Sequence, residues 1–291
     1  MIISSAVLFV QCEKKINPYD PVDIPDQTFL NALIEEGVDR NGDGKISYSE
    51  ADHIKKLDVC RKGIADLTGI EAFIKLEILN CSNNHIKTLD IGNLSSLIEI
   101  RCGYNQLTTL DISNHVSLSV LYCNENQLTS LDISNNIYLE KLHCYLNQLP
   151  SLDISHNYWL WRLWCGGNQL TSLDISKHIL LNYLECGSNQ LLSLDVSNNP
   201  NLEDLDCGHN QLTSLDVSNN PYLGTFRCRH NQLTNLDISN NTELTYLWIS
   251  GMPSLFEICV WEDFNQDSLE QIDVSDSPNV YFTTDCSMKY F

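Results

Sequence analysis

The amino-acid sequence predicts an α/β solenoid, in which a parallel β-sheet is built from 21-residue repeats and follows a small helical N-terminal cap. Three observations predict it. Nine cysteines recur every 21 residues from Cys60 to Cys228, leucines and an asparagine recur in register with them, and an acidic loop precedes the first repeat. A fixed period of this length is typical of repeat proteins, in which each unit packs mainly against its neighbours.

The chain begins with the apolar run Ile2 to Val10, which is too short to cross a bilayer but has the length of a signal-peptide core. The run ends at Cys12, as in a bacterial lipoprotein signal whose cysteine becomes the lipidated first residue. Gln11 stands where a small residue is usual, and a frayed apolar tail is the alternative. We predict a signal peptide over residues 1–12, lipidation of Cys12, and an exported protein that a lipid anchor holds at the cell surface or outer membrane.

Residues 13–23 are predicted to form a tether, because this polar segment contains two prolines and a third follows at once. Residues 24–56 are predicted to form a helix-loop-helix cap. Residues 26–38 place apolar side chains at helical spacing behind Asp26, a favourable N-cap residue. A second short helix is predicted from about Ser49 to Lys56.

The loop between these helices, residues 39–50, matches the EF-hand calcium pattern, in which side-chain and carbonyl oxygens surround the ion and a glycine permits the central turn. The alternative is a solvated turn rich in aspartate and asparagine. Because the sequence contains one such loop and sensors usually pair two, we predict one structural calcium ion that orders the cap. The predicted ligands are Asp39, Asn41, Asp43, Lys45 through its carbonyl, Ser47 and Glu50.

Residues 57–250 are predicted to form the repeats. A unit reads Leu-x-x-Leu-x-Cys-x-x-Asn-x-Leu-x-x-Leu-Asp-Ile, which is the leucine-rich-repeat pattern with cysteine at the third leucine position. A 21-residue unit leaves no room for a full outer helix, so we expect extended segments and turns there. The cysteines are predicted to form a buried, reduced ladder, because stacked parallel side chains disfavour a disulfide. A metal column is the alternative.

Two polar columns accompany the apolar ones. The asparagines from Asn84 to Asn231 are predicted to bond buried backbone groups where each strand ends. The aspartates from Asp90 to Asp237 are predicted to cap turns, with a cation-binding stripe as the alternative. Residues 251–291 are rich in aromatic side chains and are predicted to cap the open end of the core. Whether Cys259 and Cys286 pair is left open by the sequence.

The net charge of −21 makes nucleic acids and anionic lipid head groups poor partners. The sequence contains no Gly-x-Ser-x-Gly motif and no phosphate-binding loop, so we do not expect an enzyme. His209 and His230 fall in one column, but two histidines alone make a weak zinc site.

Positions one and three places before each cysteine, and one place after it, are predicted to face the concave side of the sheet. Five of the seven Lys and Arg residues between Leu76 and Ser250 fall there, with most of the variable aromatic residues. We predict a non-enzymatic binding module for an extracellular protein, with glycan binding as the alternative. The simpler interpretation is that these residues are merely tolerated on the strand surface, because aromatic side chains favour strands. The predicted ligand-binding residues are Tyr122, Lys141, His143, Tyr145, Arg162, Trp164 and Tyr183. A second cluster of Tyr138, Tyr158, Trp159 and Trp161 lies on the flank and could instead pack on neighbouring turns.

The segment from Ile24 through the calcium loop to Phe73 resembles the N-terminal region of leucine-rich-repeat lipoproteins from Bacteroidetes. The unit Cys-x-x-Asn-Gln-Leu-Thr-Ser-Leu-Asp-Ile-Ser-x-Asn is similar both to those proteins and to the cysteine-ladder internalins of Listeria. The resemblance implies a curved parallel sheet, exposure at the cell surface and binding to a protein or host surface. It does not imply a particular ligand.

Overall fold

The structure is a computed structural model that describes residues 17–286. The predicted signal peptide with Cys12 lies outside the described residues. Within the described part of the chain, no helix has the length and apolar character needed to cross a membrane.

The N-terminal cap contains two helices, α1 (Gln27–Glu35) and α2 (Tyr48–Ala51). The carboxylate of Asp26 caps α1 by accepting hydrogen bonds from two backbone N–H groups of its first turn. Ser47 and Glu50 form a capping box at the start of α2. The prediction that the second helix extends to Lys56 was wrong, because Lys56 already pairs with Ile78 in the first strand of the sheet.

The repeats form a solenoid of three-residue parallel strands, in which residues 21 or 22 positions apart pair in register through most of the sheet. The main sheet has eleven strands in the order β1-β2-β3-β4-β5-β6-β7-β8-β9-β11-β13, and a smaller sheet has the order β10-β12-β14. Two 3₁₀ helices lie at Ile70–Ala72 and Gln266–Ser268. The strands are β1 (Lys56–Asp58), β2 (Ile78–Asn80), β3 (Glu99–Arg101), β4 (Val120–Tyr122), β5 (Lys141–His143), β6 (Arg162–Trp164), β7 (Tyr183–Glu185), β8 (Asp204–Asp206), β9 (Thr225–Arg227), β10 (Asn235–Asp237), β11 (Tyr246–Trp248), β12 (Glu257–Cys259), β13 (Gln271–Asp273) and β14 (Tyr281–Thr283).

The core is a set of parallel apolar columns that run the length of the solenoid and continue into the N-terminal cap. The middle residue of each strand from β1 to β12 is buried, and so are the eight ladder cysteines from Cys81 to Cys228, whose thiols are free. Burial raises the pKa of these thiols above its usual value. Cys60, at the first turn, is partly exposed. The predicted reduced cysteine ladder is therefore confirmed.

The asparagine column joins successive turns, as predicted. The Nδ2 of Asn126 donates to the carbonyls of Cys102 and Cys123 at 3.1 Å, and its Oδ1 accepts from the N–H of Leu107 at 2.9 Å. The same pattern recurs through the ladder. Because each amide serves backbone groups of two turns, it holds the turns in register while satisfying groups that would otherwise be buried without partners.

A second buried polar ladder was not predicted. Its members lie four residues after the aspartates from Asp111 to Asp237. The asparagines donate hydrogen bonds to backbone carbonyls of the preceding turn, and the histidines form a hydrogen bond with such a carbonyl through Nε2. The signal in the sequence was the recurrence of Asn or His at this position in place of an apolar residue. The members are His115, Asn136, Asn157, His178, Asn199, Asn220 and Asn241.

The aspartate column caps turns, as predicted. In each repeat the carboxylate accepts from the backbone N–H two residues later, as Asp153 does from Ser155 at 2.9 Å. Hydrogen bonds from serine lower the pKa of Asp132 and Asp174, so these carboxylates are stabilised in their ionised form. Backbone and serine groups are therefore the partners of these carboxylates.

The C-terminal segment closes the solenoid with the smaller sheet and an aromatic cluster. Trp261 packs edge-on against Phe264, with ring centroids 4.8 Å apart, and Phe264 stacks on Phe282 at 5.2 Å. Cys259 and Cys286 form a disulfide, with Cα atoms 5.5 Å apart. The structure thereby answers the question of pairing that the sequence left open.

Candidate binding site on the concave face

The solvent side of the main sheet, which we call the concave face, carries the seven predicted ligand-binding residues. In each strand the middle residue is buried and the first and third point away from the core. The register places Lys141 beside Arg162, and His143 beside Trp164. Side chains that are 21 residues apart in the chain therefore become direct neighbours. We call these seven residues the concave patch.

Three aromatic rings of the concave patch form a continuous stack. The ring centroids of Tyr122 and His143 are 4.1 Å apart with planes inclined by 7°, and those of His143 and Trp164 are 4.0 Å apart at 11°. The guanidinium of Arg101 lies 5.3 Å from the Tyr122 ring centroid, and that of Arg162 lies 5.4 Å from the Trp164 ring. Cations and aromatic neighbours therefore occupy the ring faces, and the ring edges point outward.

The remaining members of the patch contact this stack or each other. Tyr145 is tilted against Trp164, with centroids 6.3 Å apart. Arg162 lies 4.6 Å from the ring centroid of Tyr183, and the Lys141 ammonium lies 4.9 Å from the ring of Trp161. The seven predicted residues thus form one contiguous cluster, in which six stay partly exposed and His143 is buried between its neighbours. Their role in binding a ligand stays a prediction.

His143 is an uncharged ring in this surface at neutral pH. Burial lowers its pKa to about 4, and the positive charges of Arg162, Lys141 and Arg101 act in the same direction. The side chain is only 7% exposed. A histidine with such a low pKa is poorly suited to serve as a general base at neutral pH, so its function in the stack is one of packing.

An acidic strip follows the aromatic stack along the sheet, and sequence reasoning did not include it in the site. Glu185 follows Trp164 in the same column, and Asp206 follows Glu185. Burial and the neighbouring Asp206 raise the pKa of Glu185 to about 7, against hydrogen bonds from the N–H groups of Gly166 and Gly187. A Cβ at Gly166 would overlap the Glu185 carboxylate. The missed signal was glycine one place after three successive cysteines.

Asp204, the first residue of β8, completes the strip. It forms an ion pair with Arg227, whose Nη1 lies 2.7 Å from the carboxylate. Burial raises the pKa of Asp204, although Arg227 acts in the opposite direction. The concave face therefore presents a cationic aromatic region, then an acidic strip, then a second cationic region around Arg227 and Arg229.

The predicted calcium loop lies between α1 and α2, and its carboxylates accept hydrogen bonds from backbone N–H groups of the same loop. Asp39 accepts from the N–H groups of Gly42 and Gly44 at 2.7 and 2.9 Å. Asp43 accepts from the N–H of Lys45, and Glu50 from that of Arg40, both at 2.9 Å. Three carboxylates and the amide oxygen of Asn41 thus line one small loop. This donor set fits calcium, which prefers oxygen ligands.

The electrostatics of Glu50 also fit a cation ligand. Burial raises its pKa, but hydrogen bonds from Ser47, Arg40 and Asn41 outweigh burial, and the pKa is lowered. The loop is braced from the N-terminal side, because Val22 donates its N–H to the Ile46 carbonyl at 2.7 Å. The ionised carboxylates are therefore held in a supported loop.

The cap is fastened to the first repeats by charged and polar contacts. The Asp26 carboxylate accepts from the N–H groups of Ala65 and Asp66 at 2.9 and 3.0 Å. Two ion pairs add to this contact, Lys62 with Glu35 at 2.8 Å and Lys75 with Asp52 at 2.7 Å. Residues at the ends of the two helices that flank the loop therefore contact the first repeats.

Other clusters offer little for metal binding. His209 and His230 stack with centroids 4.3 Å apart, as the column predicted. In residues 17–286, one group of three metal-ligating side chains lies close enough to share an ion, namely Asp237, Cys259 and Cys286, and its two sulfurs form the disulfide. The structure therefore adds no second metal site to the predicted calcium loop.

No protein-family model and no curated protein sequence matches the chain, but solved structures do. The functional domain of InlJ from Listeria monocytogenes, which includes a cysteine ladder, is 26% identical with a TM-score of 0.59, over 92% of this chain and 73% of that one. A leucine-rich-repeat protein from Leptospira interrogans is 26% identical with a TM-score of 0.62, over 74% of this chain and 64% of that one. This chain is thus similar in structure to cysteine-ladder internalins and other leucine-rich-repeat proteins.

A plant receptor shares the fold alone. The leucine-rich-repeat ectodomain of a membrane receptor kinase from Arabidopsis thaliana, solved in complex with Casparian strip integrity factor 2, is 23% identical with a TM-score of 0.56. The match covers 66% of this chain and 27% of that one, and the receptor uses its solenoid in a complex. The predicted leucine-rich-repeat solenoid with a cysteine ladder is confirmed.

Proposed function

We propose that this chain is a non-enzymatic binding module that recognises a partner protein through the concave patch. The observation that carries the proposal is the stack of Tyr122, His143 and Trp164 held between Arg101 and Arg162. Tyr, Trp and Arg are the residues most enriched at the energetic centres of protein interfaces. Because the stack already fixes these side chains, a partner loses little conformational freedom of this surface on binding.

The same stack favours a protein over the alternative of a glycan. Aromatic residues that bind sugars do so with an open ring face. Here His143 covers one face each of Tyr122 and Trp164, and guanidinium groups lie over these two rings. The patch therefore offers ring edges and N–H donors, which suit the mixed polar and apolar surface of a protein.

The charge pattern narrows the partner further. Cations are concentrated at Arg101, Lys141 and Arg162 in a chain with a net charge of −21, and the acidic strip of Glu185 and Asp206 follows directly. A partner surface that carries both signs of charge in the matching order would be steered onto this face and held in register. A uniformly anionic polymer would meet the acidic strip and the acidic remainder of the solenoid.

The experiment that tests this function is a binding screen with the chain expressed without residues 1–12, in the presence of calcium. The probes are an array of purified secreted and cell-surface protein domains and a glycan array. The test variant carries Tyr122→Ala, His143→Ala and Trp164→Ala, and the control is Trp248→Ala in the same column. A protein hit that the test variant loses and the control keeps supports the proposal. A glycan hit, or a protein hit that the test variant retains, contradicts it.

We also propose that one calcium ion occupies the loop of residues 39–50 and stabilises the N-terminal end of the solenoid. Support comes from the carboxylates of Asp39, Asp43 and Glu50, which are fixed within one twelve-residue loop, and from the contacts of the cap with the first repeat. Calorimetric titration of the chelator-treated protein with calcium should give one site per chain. An Asp39→Ala variant that binds calcium as well as the parent would contradict this assignment.

Display at the cell surface through a lipid on Cys12 is a further part of the proposal, on a residue outside the described part of the chain. It rests on the apolar run that ends at Cys12. Metabolic labelling with an alkyne fatty acid in a bacterial host should label the parent and not the Cys12→Ala variant. Equal labelling of both would remove the lipid anchor from the proposal.

A further inference from the structure

One edge of the solenoid carries exposed apolar side chains at two adjacent positions in each of three consecutive repeats. Each repeat has two adjacent turn residues that follow the second buried ladder and precede the next strand. In the repeats that lead into β5, β6 and β7 these positions are apolar, and each side chain is between 39% and 60% exposed. We call them the edge patch, which consists of Ile137, Tyr138, Tyr158, Trp159, Ile179 and Leu180.

The repeat itself does not require apolar residues here. Three of the equivalent pairs in other repeats carry no large apolar side chain, namely Ser95 with Ser96, Pro200 with Asn201, and Thr242 with Glu243. Two others, Val116 with Ser117 and Pro221 with Tyr222, each carry one exposed apolar side chain, Val116 and Tyr222. These repeats form the same strands and the same hydrogen bonds without an apolar pair. The fold therefore does not require the apolar pairs of the edge patch, and about half of each of these side chains stays exposed to solvent.

The edge patch lies on the same repeats as the concave patch and adjoins it. Trp161, two residues after Trp159, connects them: its ring lies 4.9 Å from the Lys141 ammonium and 5.0 Å from the Arg162 guanidinium, and it packs against Tyr183 at 5.9 Å. The two patches thus share the repeats that lead into β5, β6 and β7. Such a coincidence is expected when one partner covers both.

We propose that the edge patch and the concave patch form one continuous interface for a folded protein domain, which reaches over the edge of the sheet. This inference rests on the proposed function and specifies the kind of partner. A peptide or an oligosaccharide that lies along the concave face would leave the edge patch in water. A folded domain can cover both faces, because it presents a surface wide enough to follow the corner.

The area agrees with a shared interface. Six half-exposed side chains, three of them aromatic, offer roughly 500 Å² of apolar surface, at the upper end of the range for the largest patch on a monomer. A stable interface needs about 800 Å² from each partner. The edge patch alone falls short of that, which disfavours a dimer of this chain through the edge and indicates that a stable partner also covers adjoining surface.

Charge indicates what the partner presents. Four of the seven Lys and Arg residues between Leu76 and Ser250 border the combined surface, namely Arg101, Lys141, Arg162 and Lys177, the last 6.0 Å from the Tyr158 ring centroid. Of the other three, Arg227 and Arg229 lie beyond the acidic strip and Lys87 lies in an early repeat. The partner therefore carries apolar side chains bordered by acidic ones, and it meets cations here as nowhere else on this edge.

The test uses the array of purified secreted and cell-surface protein domains with an additional variant. The edge variant carries Tyr138→Ser, Trp159→Ser and Leu180→Ser, which lie in one column and are exposed. The control is Tyr222→Ser, which lies in the same column, is 61% exposed and belongs to a repeat outside the edge patch. Melting temperatures confirm that each variant folds. Arg162→Glu replaces the concave triple variant if that variant fails to fold.

The expected result is a protein hit whose affinity falls about tenfold or more in both the edge variant and the concave variant, and less than about twofold in the control. A protein hit weakened only by the concave variant overturns this inference and leaves the proposed function standing. A hit weakened only by the edge variant, or the absence of any protein hit, overturns both. A dimer in sedimentation velocity, or binding to phosphatidylcholine vesicles, that the edge variant abolishes would also overturn the inference, because the occupant would be a second copy or a membrane.

Discussion

Replacing Glu185 with glutamine should stabilise the protein at pH 8 and change its stability little at pH 5. The carboxyl group is held beside Asp206 and under the backbone of the neighbouring turn, where Gly166 donates its N–H to it at 3.1 Å. Glutamine keeps the size of the side chain and an oxygen that can accept this hydrogen bond. The substitution therefore removes the charge and retains the packing.

The magnitude follows from the titration of Glu185. Its pKa is about 7 in the folded protein and 4.5 when unperturbed, mainly because burial disfavours the charged form. A raised folded pKa means that the folded state keeps this proton while the unfolded state has already released it. Stability therefore falls as the pH rises from about 4.5 to about 7, and the full cost of about 3 kcal/mol is present above that range.

The assay is urea unfolding of the parent and Glu185→Gln at pH 5, 6, 7 and 8 in the presence of calcium. The difference between the two proteins isolates Glu185, because every other titrating group is common to both. We expect a difference of about 2 to 3 kcal/mol at pH 8, which shrinks toward zero at pH 5. Glu243→Gln, at an exposed position of a later repeat, is the control and should give no pH-dependent difference. An equal gain for Glu185→Gln at pH 5 and pH 8, or no gain at pH 8, would refute the reasoning.

Four further outcomes follow from the structure. Asn168→Ala should lower the free energy of unfolding by about 3 kcal/mol, because it leaves a buried N–H and two buried carbonyls without this partner, whereas exposed Asn135→Ala should cost less than about 0.5 kcal/mol in the same denaturant titration. Burial lowers the pKa of His178, so the folded protein disfavours protonation of this ring, whereas the unfolded chain takes up the proton as the pH falls below about 6.5. The free energy of unfolding therefore falls with the pH in this range, and His178→Asn should be the more acid-resistant protein in thermal melts at pH 5. A calcium chelator should lower the melting temperature of the parent. The loss corresponds to about 2.7 kcal/mol of unfolding free energy if calcium was at one hundred times its dissociation constant, and the melting temperature of a Glu50→Ala variant should not change. Iodoacetamide at pH 8 should modify Cys60 before any of the eight buried ladder cysteines, which peptide mass spectrometry can measure. Early labelling of the ladder cysteines would mean that the solenoid opens far more readily than their burial implies.

The sequence by itself determined the repeat architecture. Each ladder residue contacts its own copy one repeat away, so the 21-residue recurrence of Cys144, Asn147 and Asp153 specifies both the local conformation and the neighbour. The calcium loop could be predicted for a similar reason, since its proposed ligands lie within twelve consecutive residues. Membership of the concave patch could also be predicted, because alternation along a strand decides which side chains leave the core.

Only the tertiary structure decided how those side chains behave. The early end of α2 depends on pairing of Lys56 with a strand 22 residues later. The elevated pKa of Glu185 depends on Asp206 across the sheet and on the space above Gly166. The rings of Tyr122, His143 and Trp164 could have pointed apart, and Tyr138 and Trp159 could have packed on adjacent turns. How these side chains stack and how far they are buried depends on contacts between the variable residues of neighbouring repeats. These residues follow no period, so the repeat pattern that predicts the fold does not predict their contacts.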